Sequence, residues 1–186
     1  MMNTERMMPT PDEAEKIRGE MTAMKPVTLA SLGRTLGMSA FEAARRLPED
    51  VVSFVKGDAG ERFEALWAAL AEWEKATLII LHGGHVFEIE AKLSTGKTAR
   101  GYYNIMGRDA VVGGHIAYES IAAAAFLRLP FMKRESLSVQ FFDAEGSVAF
   151  SVYAGRSRHE IIPSVKAAFA DAEMRFCTTE TEDGNE

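Results

Sequence analysis

Residues 77–91, TLIILHGGHVFEIEA, decide the fold class. TLIILH and HVFEIEA are short, rich in β-forming residues, and separated only by Gly83-Gly84. Two glycines between such runs predict a tight hairpin, because the favoured two-residue turns place their residues at positive φ. The texture persists downstream. ARGYYNIM, VVGGHIA, SIAAAAFL, SLSVQFF and SVAFSVY read as further strands, divided by Arg108-Asp109, Glu119, Pro130 and Ala144-Glu145-Gly146. About seven consecutive strands predict an antiparallel sheet or an open barrel.

Upstream of Thr77 the pattern is helical. Thr10-Pro11-Asp12-Glu13 combines a cap, a proline for the first helical position and a capping-box glutamate, so a helix runs from there to about Ala23. Leu29 to Thr35 reads as a short helix that Gly37 ends. Ser39 to Glu42 is a second capping box, and Pro48 stops the helix it opens. Asp58 with Glu61 starts another helix, on which Phe63, Leu66, Trp67 and Leu70 form one buried stripe. After the strands, residues 161–176 return to helix. The tail TTETEDGNE is acidic, lacks apolar residues and is expected to be disordered. The fold class is therefore α+β.

A chain of 186 residues with 47% apolar content suits one domain with a substantial core. A net charge of −6 argues against nucleic acid or an anionic membrane as partner. The single cysteine, Cys177, cannot form an internal disulfide, which fits a reducing compartment. The segment MMNTERMMPTPDEAEK lacks the apolar run of a signal peptide, and no stretch approaches the ~20 apolar residues of a membrane span. The expectation is a soluble, cytoplasmic protein.

Three constellations carry chemistry. Residues 28–48, with Arg45 and Arg46 on the second of two short helices, have the outline of a helix-turn-helix. A helical cap on the sheet is the preferred reading, since the chain is acidic and the region before Thr77 has no basic excess. His82 and His85 flank the Gly-Gly turn, so they oppose each other at ~5 Å between Cβ atoms, and such a pair can hold a metal. A structural zinc site needs four ligands, which makes exposed turn-flanking histidines the preferred reading there. The third is GYYNIMGRDAVVGGHI, residues 101–116. Adjacent strand residues point to opposite faces, so Tyr102 and Tyr103 cannot line the same pocket. A phenolate from one of them and the imidazole of His115 are both axial ligand types for haem iron. Gly113 and Gly114 strip side chains from the strand beside His115, which suits close approach of something flat. On the residues alone, a core tyrosine pair and a hydrogen-bonded histidine is the preferred reading of the stretch.

GYYNIMG followed by GGHI, and then SVQFFDAEGSVAFSVYAGRSRH, resembles the bacterial cytosolic haem-utilisation carriers of the HutX and ChuX family. The resemblance extends from about Val27 to Ala170 and includes LPEDVV and EWEKATLI. It implies a helical N-terminal part, a large antiparallel β-sheet shaped as a half-barrel or saddle, a C-terminal helix, and a homodimer that pairs the sheets. The implied divisions are an N-terminal segment 1–26 with a helix and partly flexible, a carrier domain 27–176 (27–75 helical, 77–153 sheet, 161–176 helix), and the acidic tail 177–186. The implied function is an intracellular haem-binding protein, not itself an enzyme, that carries haem from uptake to a cytosolic haem-degrading partner. By position, His115 matches the family histidine, and Tyr102 and Tyr103 match its aromatic pair; these three are the candidate iron ligands. Family members also carry a histidine on the strand before GYYN. Ungapped placement puts Leu81 there and His82 one residue later, on the opposite face. Lys97, Arg100 and Arg108 flank the tyrosine strand as candidate partners for haem propionates. The alternatives are a haem- or flavin-dependent oxidoreductase on the same sheet and, behind it, a helix-turn-helix regulator.

Overall fold

Thr10 opens the first helix through a complete capping box. Its side chain accepts the Glu13 N–H at 3.3 Å, and its own N–H donates to the Glu13 carboxylate at 2.9 Å. The computed structural model describes residues 2–108 and 110–178. The helical front comprises α1 (Pro11–Thr22), α2 (Leu29–Leu36) and α3 (Ala40–Arg45). Gly37 ends α2 in the left-handed conformation at φ 71°. At Ser39 only half of the expected box forms. Ser39 accepts the Glu42 N–H, but the Glu42 carboxylate turns to Arg45 and Arg46 instead of the cap backbone. Two guanidinium groups compete better for a carboxylate than one backbone N–H does.

The remaining elements are β1 (Val52–Phe54), α4 (Phe63–Ala71), β2 (Ala76–His82), β3 (His85–Ala91), β4 (Gly96–Ala99), β5 (Tyr102–Ile105), β6 (Gly114–Ile116), β7 (Ala123–Leu127), β8 (Ser138–Phe142), β9 (Val148–Ala154), the two-residue strands β10 (Arg156–Ser157) and β11 (Glu160–Ile161), and α5 (Pro163–Cys177). Asp58 does accept the Glu61 N–H, but in a turn, and α4 begins after it at Phe63. Cys177 closes α5, and the acidic tail from residue 179 onward lies outside the described residues.

All strand pairs are antiparallel. The main sheet has six strands in the order β1-β7-β8-β9-β2-β3, and a second sheet has three in the order β4-β5-β6. The architecture is α+β, as expected, with more strands than the sequence suggests. Val52–Phe54, assigned to the helical front, pairs with β7 as an edge strand. Residues 96–99, GKTA, which fall between the expected strands HVFEIEA and ARGYYNIM, form β4. Arg100-Gly101, assigned to a strand interior, is the two-residue turn between β4 and β5, with φ 55° and 79°. Arginine is an uncommon residue at positive φ, so the usual hairpin signature is absent there.

Each face of the main sheet carries its own core. On one face Phe126, Val139, Phe141 and Val152 pack against Phe63, Leu66, Trp67 and Leu70 of α4 and against Val165, Phe169 and Phe176 of α5. Tyr103 and Ile105 of the small sheet join this cluster. On the other face Ala123, Ala125, Leu127 and Phe142 meet Leu29, Leu32, Phe41, Ala44 and Leu47. The Phe41 and Phe142 rings meet edge to face at 5.4 Å. That helical layer stops short of β9, β2 and β3, leaving a groove of about 430 Å³ lined by Ile79, Leu81, Val86 and Tyr153 among others. The two helices with a helix-turn-helix outline thus form a cap. Ala40, Phe41, Ala43 and Ala44 of α3 are buried, Arg46 is paired with Glu13 and Glu42, and Arg45 with Glu42.

Candidate functional site

The three-stranded sheet is built on a close approach at Gly96. A Cβ there would lie 2.1 Å from the Asn104 carbonyl oxygen, so only glycine lets β4 pair with β5. The turn at Arg100-Gly101 sets the register, with Ala99 opposite Tyr102 and Lys97 opposite Asn104. On the other side of β5, Asn104 lies opposite His115 and Tyr103 opposite Ile116.

Strand alternation then sorts the side chains. Tyr103 and Ile105 face the core at 1% and 7% exposure. Tyr102, Asn104, Lys97 and His115 share the outer face, where Lys97, Asn104 and His115 form one row across the three strands. The Tyr102 and His115 rings lie 6.1 Å apart at an interplanar angle of 67°. His115 Nδ1 is 2.6 Å from Asn104 Oδ1. The Asn104 amide nitrogen faces three carbonyl oxygens: Tyr102 at 2.9 Å and Lys97 and Ala99 at 3.1 Å each.

The surroundings of His115 suit a flat apolar guest. A Cβ on Gly113, two residues before His115, would have no atom outside its chain neighbours nearer than 3.8 Å, and His115 itself is exposed. Met106 and Val111, in the connection between β5 and β6, are exposed, as is Tyr102. Arg100 stands at the tip of the β4–β5 hairpin and Arg108 in the β5–β6 connection, both exposed. An exposed imidazole and phenol, side-chain-free backbone beside them and cations around them can hold a planar, anionic metal complex through an axial bond and charge-assisted contacts.

Tyr103 does not join this face. Its hydroxyl accepts the Gly96 N–H at 2.6 Å, and its ring packs 5.5 Å from Phe63. Burial pushes its phenol up in pKa, the Gly96 N–H works against that, and the Glu64 charge adds to it. A neutral, hydrogen-bonded core phenol is no phenolate ligand, so Tyr103 drops out of the candidate ligands on grounds of strand geometry. His82 and His85 face each other across the β2–β3 turn, exposed, on the main sheet and not on the strands that carry His115. Leu81, one residue away, lines the groove on the opposite face of β2. Among the described residues no group of three or more His, Cys, Asp or Glu side chains could hold a metal ion.

Sequence reasoning missed Asn104. The period of two places it on the face of Tyr102, but its pairing with His115 depends on the irregular connection between β5 and β6, which no pattern fixes.

Residues 58–171 match the family described as haem utilisation ChuX/HutX. The chain is 36% identical over 166 residues to the intracellular heme transport protein HutX of Vibrio cholerae, covering 88% of this chain and 84% of that one. Among solved structures, a protein from Erwinia carotovora superposes with a TM-score of 0.78 at 27% identity, over 90% of this chain and 99% of its own. The heme binding protein ChuX superposes with a TM-score of 0.75 at 24% identity, over 88% and 97%, a likeness of fold.

Proposed function

The chain belongs to the haem utilisation ChuX/HutX family, and on that premise we propose that it binds haem inside the cell and hands it to a haem-degrading partner. The observation that carries this is the outer face of the small sheet, where His115 and Tyr102 meet 6.1 Å apart, both exposed. In this reading the His115 imidazole ligates the iron, Tyr102 lines or shares that site, and Lys97, Arg100 and Arg108 receive the propionates. An open sheet face with axial ligation suits a protein that must give its cargo up. No helix among the described residues is long and apolar enough to cross a membrane. The protein works as a homodimer, supported by the apolar side chains Ile80, Leu81, Val86 and Phe87 exposed along β2 and the edge strand β3.

Titration with haemin tests the reading. We expect a saturable Soret band at one haem per chain, and a weakened or spectrally altered complex for His115→Ala. Unchanged affinity and spectrum in that variant would remove His115 as ligand and turn attention to Tyr102. The second reading, an oxidoreductase on the same sheet, predicts instead that bound haem is consumed when a reductant is added.

A further inference from the structure

We propose that Asn104 is the positioning residue of the iron site: it holds His115 in the tautomer protonated at Nδ1 and so reserves the Nε2 lone pair for haem iron. The inference rests on the reading of His115 as a ligand, and it adds a residue and an atom to it.

The argument begins with the orientation of the Asn104 amide. Its nitrogen has three carbonyl oxygens within hydrogen-bonding distance, those of Lys97, Ala99 and Tyr102. Turning the amide over would set its oxygen against three other oxygens and leave its N–H groups facing the imidazole. The nitrogen therefore faces the hairpin and Oδ1 faces His115, at 2.6 Å from Nδ1. An amide oxygen only accepts, so Nδ1 carries the hydrogen and donates it. A neutral imidazole has one N–H, and the lone pair is then on Nε2. His115 is exposed on the outer face of the small sheet, so the ring has room to receive a ligand.

The same three carbonyls make the hold stiff. Ala99 and Tyr102 flank the Arg100-Gly101 turn, and Lys97 lies directly opposite Asn104. The amide is thereby locked to the β4–β5 hairpin and the imidazole to the amide. Free histidine favours the other tautomer, with the hydrogen on Nε2, so without this acceptor most of the neutral population would present an N–H where iron needs a lone pair. Metal-ligating histidines depend on such an acceptor, and its loss costs about 10–100-fold in metal affinity.

Two variants isolate the effect. Asn104→Ala and Asn104→Asp both abolish donation to the three carbonyls, and the aspartate also sets a carboxylate oxygen against them, so the hairpin loses at least as much in Asn104→Asp and a lower affinity in Asn104→Ala is not a loss of the hairpin. Only the aspartate keeps an acceptor for Nδ1–H. Nitrogen-15 NMR of the imidazole in the haem-free protein reads the tautomer directly. We expect Nδ1–H in the wild type and in Asn104→Asp, and Nε2–H in Asn104→Ala. Haemin titration should then show affinity about 10–100-fold lower for Asn104→Ala than for Asn104→Asp. Nε2–H in the wild type, or equal haemin affinities for the two variants, overturns the proposal. If the tautomers are as expected but His115→Ala binds haemin like the wild type, the ligand reading itself has failed, and Asn104 holds an imidazole that binds no iron.

Discussion

Tyr102 and Tyr103, neighbours on β5, occupy different worlds: Tyr102 is 46% exposed with its ring 6.1 Å from that of His115, whereas the Tyr103 hydroxyl accepts the Gly96 N–H at 2.6 Å inside the core. Their phenylalanine variants should therefore separate. Tyr103→Phe leaves the Gly96 N–H without its partner and should cost about 1–3 kcal/mol of stability, read as an earlier denaturant midpoint, with the haem spectrum unchanged. Tyr102→Phe should alter the haem spectrum and leave stability near wild type. Equal losses of both properties in both variants would mean that the pair acts through folding alone.

Gly96 sets the spacing on which the site depends. A methyl group there meets the backbone oxygen of Asn104 at 2.1 Å, and backbone cannot step aside as a flexible side chain can. Gly96→Ala should pry β4 from β5 and weaken haem binding together with stability. Gly113→Ala, whose new methyl has its nearest neighbour at 3.8 Å, is the control and should fold normally. Thermal unfolding of the two variants decides; matched melting temperatures would show that β4 does not need the close approach.

How much of this was legible in the sequence follows from period and spacing. The β2–β3 hairpin announced itself through Gly83-Gly84, and the structure pairs His82 with His85 across it as expected. Alternation alone said that one tyrosine must leave the site, but not which, because the face is set by what lies beneath: Phe63 and Trp67 of α4 bury Tyr103. The β4–β5 turn stayed hidden behind an arginine at φ 55°. β1 was hidden by its length, three residues whose pairing to Ala125, Phe126 and Leu127 is a contact distant in sequence. Asn104 was invisible as a site residue for the same reason, since its value lies in the strand opposite.

Cys177 should be chemically quiet. Burial, helped by Glu173 and opposed by Lys56, Arg62 and Arg128, pushes its thiol up to about 12, and its sulfur lies 3.4 Å from the Ser53 carbonyl oxygen. Only the thiolate reacts with thiol reagents, and an ordinary cysteine titrates near ~8.5. The native protein at pH 8 should thus react far more slowly than the denatured chain, in an Ellman assay run on both. The linkage has a definite sign. A folded-state value above the unfolded one favours the neutral thiol, so this contribution to stability is complete below pH ~8.5 and fades as the pH rises toward 12. Equal labelling rates for the folded and unfolded protein would contradict the burial.

The exposed apolar edge bears on assembly. Ile80 and Phe87 are cross-strand partners on one face of the β2–β3 hairpin, and Leu81 and Val86 on the other, and among the described residues β3 has no neighbour on its outer side. Unpaired strand edges with apolar side chains associate readily. Light scattering at micromolar concentration should return about twice the 20.4 kDa chain mass. Phe87→Glu, which sets a charge on that edge, should shift the mass toward the monomer. A wild-type mass of one chain across that range would reject the homodimer.

Direction of transfer separates a carrier from a buffer. The outer face of the small sheet is open, and the sequence has no Cys-x-x-Cys-His motif to fix haem covalently. Haem bound there should exchange, so excess apomyoglobin is expected to strip the holo-protein completely. A haem-degrading partner should accept the haem faster than apomyoglobin at the same concentration, because a docked complex spares the haem a passage through water. The rate toward such a partner should also rise with its concentration and then saturate, as a complex fills. Dissociation into solvent behaves differently, since its rate belongs to the donor alone and is the same for every acceptor. Stopped-flow measurements of the Soret change with several candidate enzymes distinguish the two cases. If every acceptor, apomyoglobin included, draws haem at one concentration-independent rate, the protein stores haem and does not deliver it. Asn104→Ala should then raise that common rate, since a weaker Fe–Nε2 bond breaks sooner, whereas in a docked transfer the partner's own ligand shares the work and the variant should matter less.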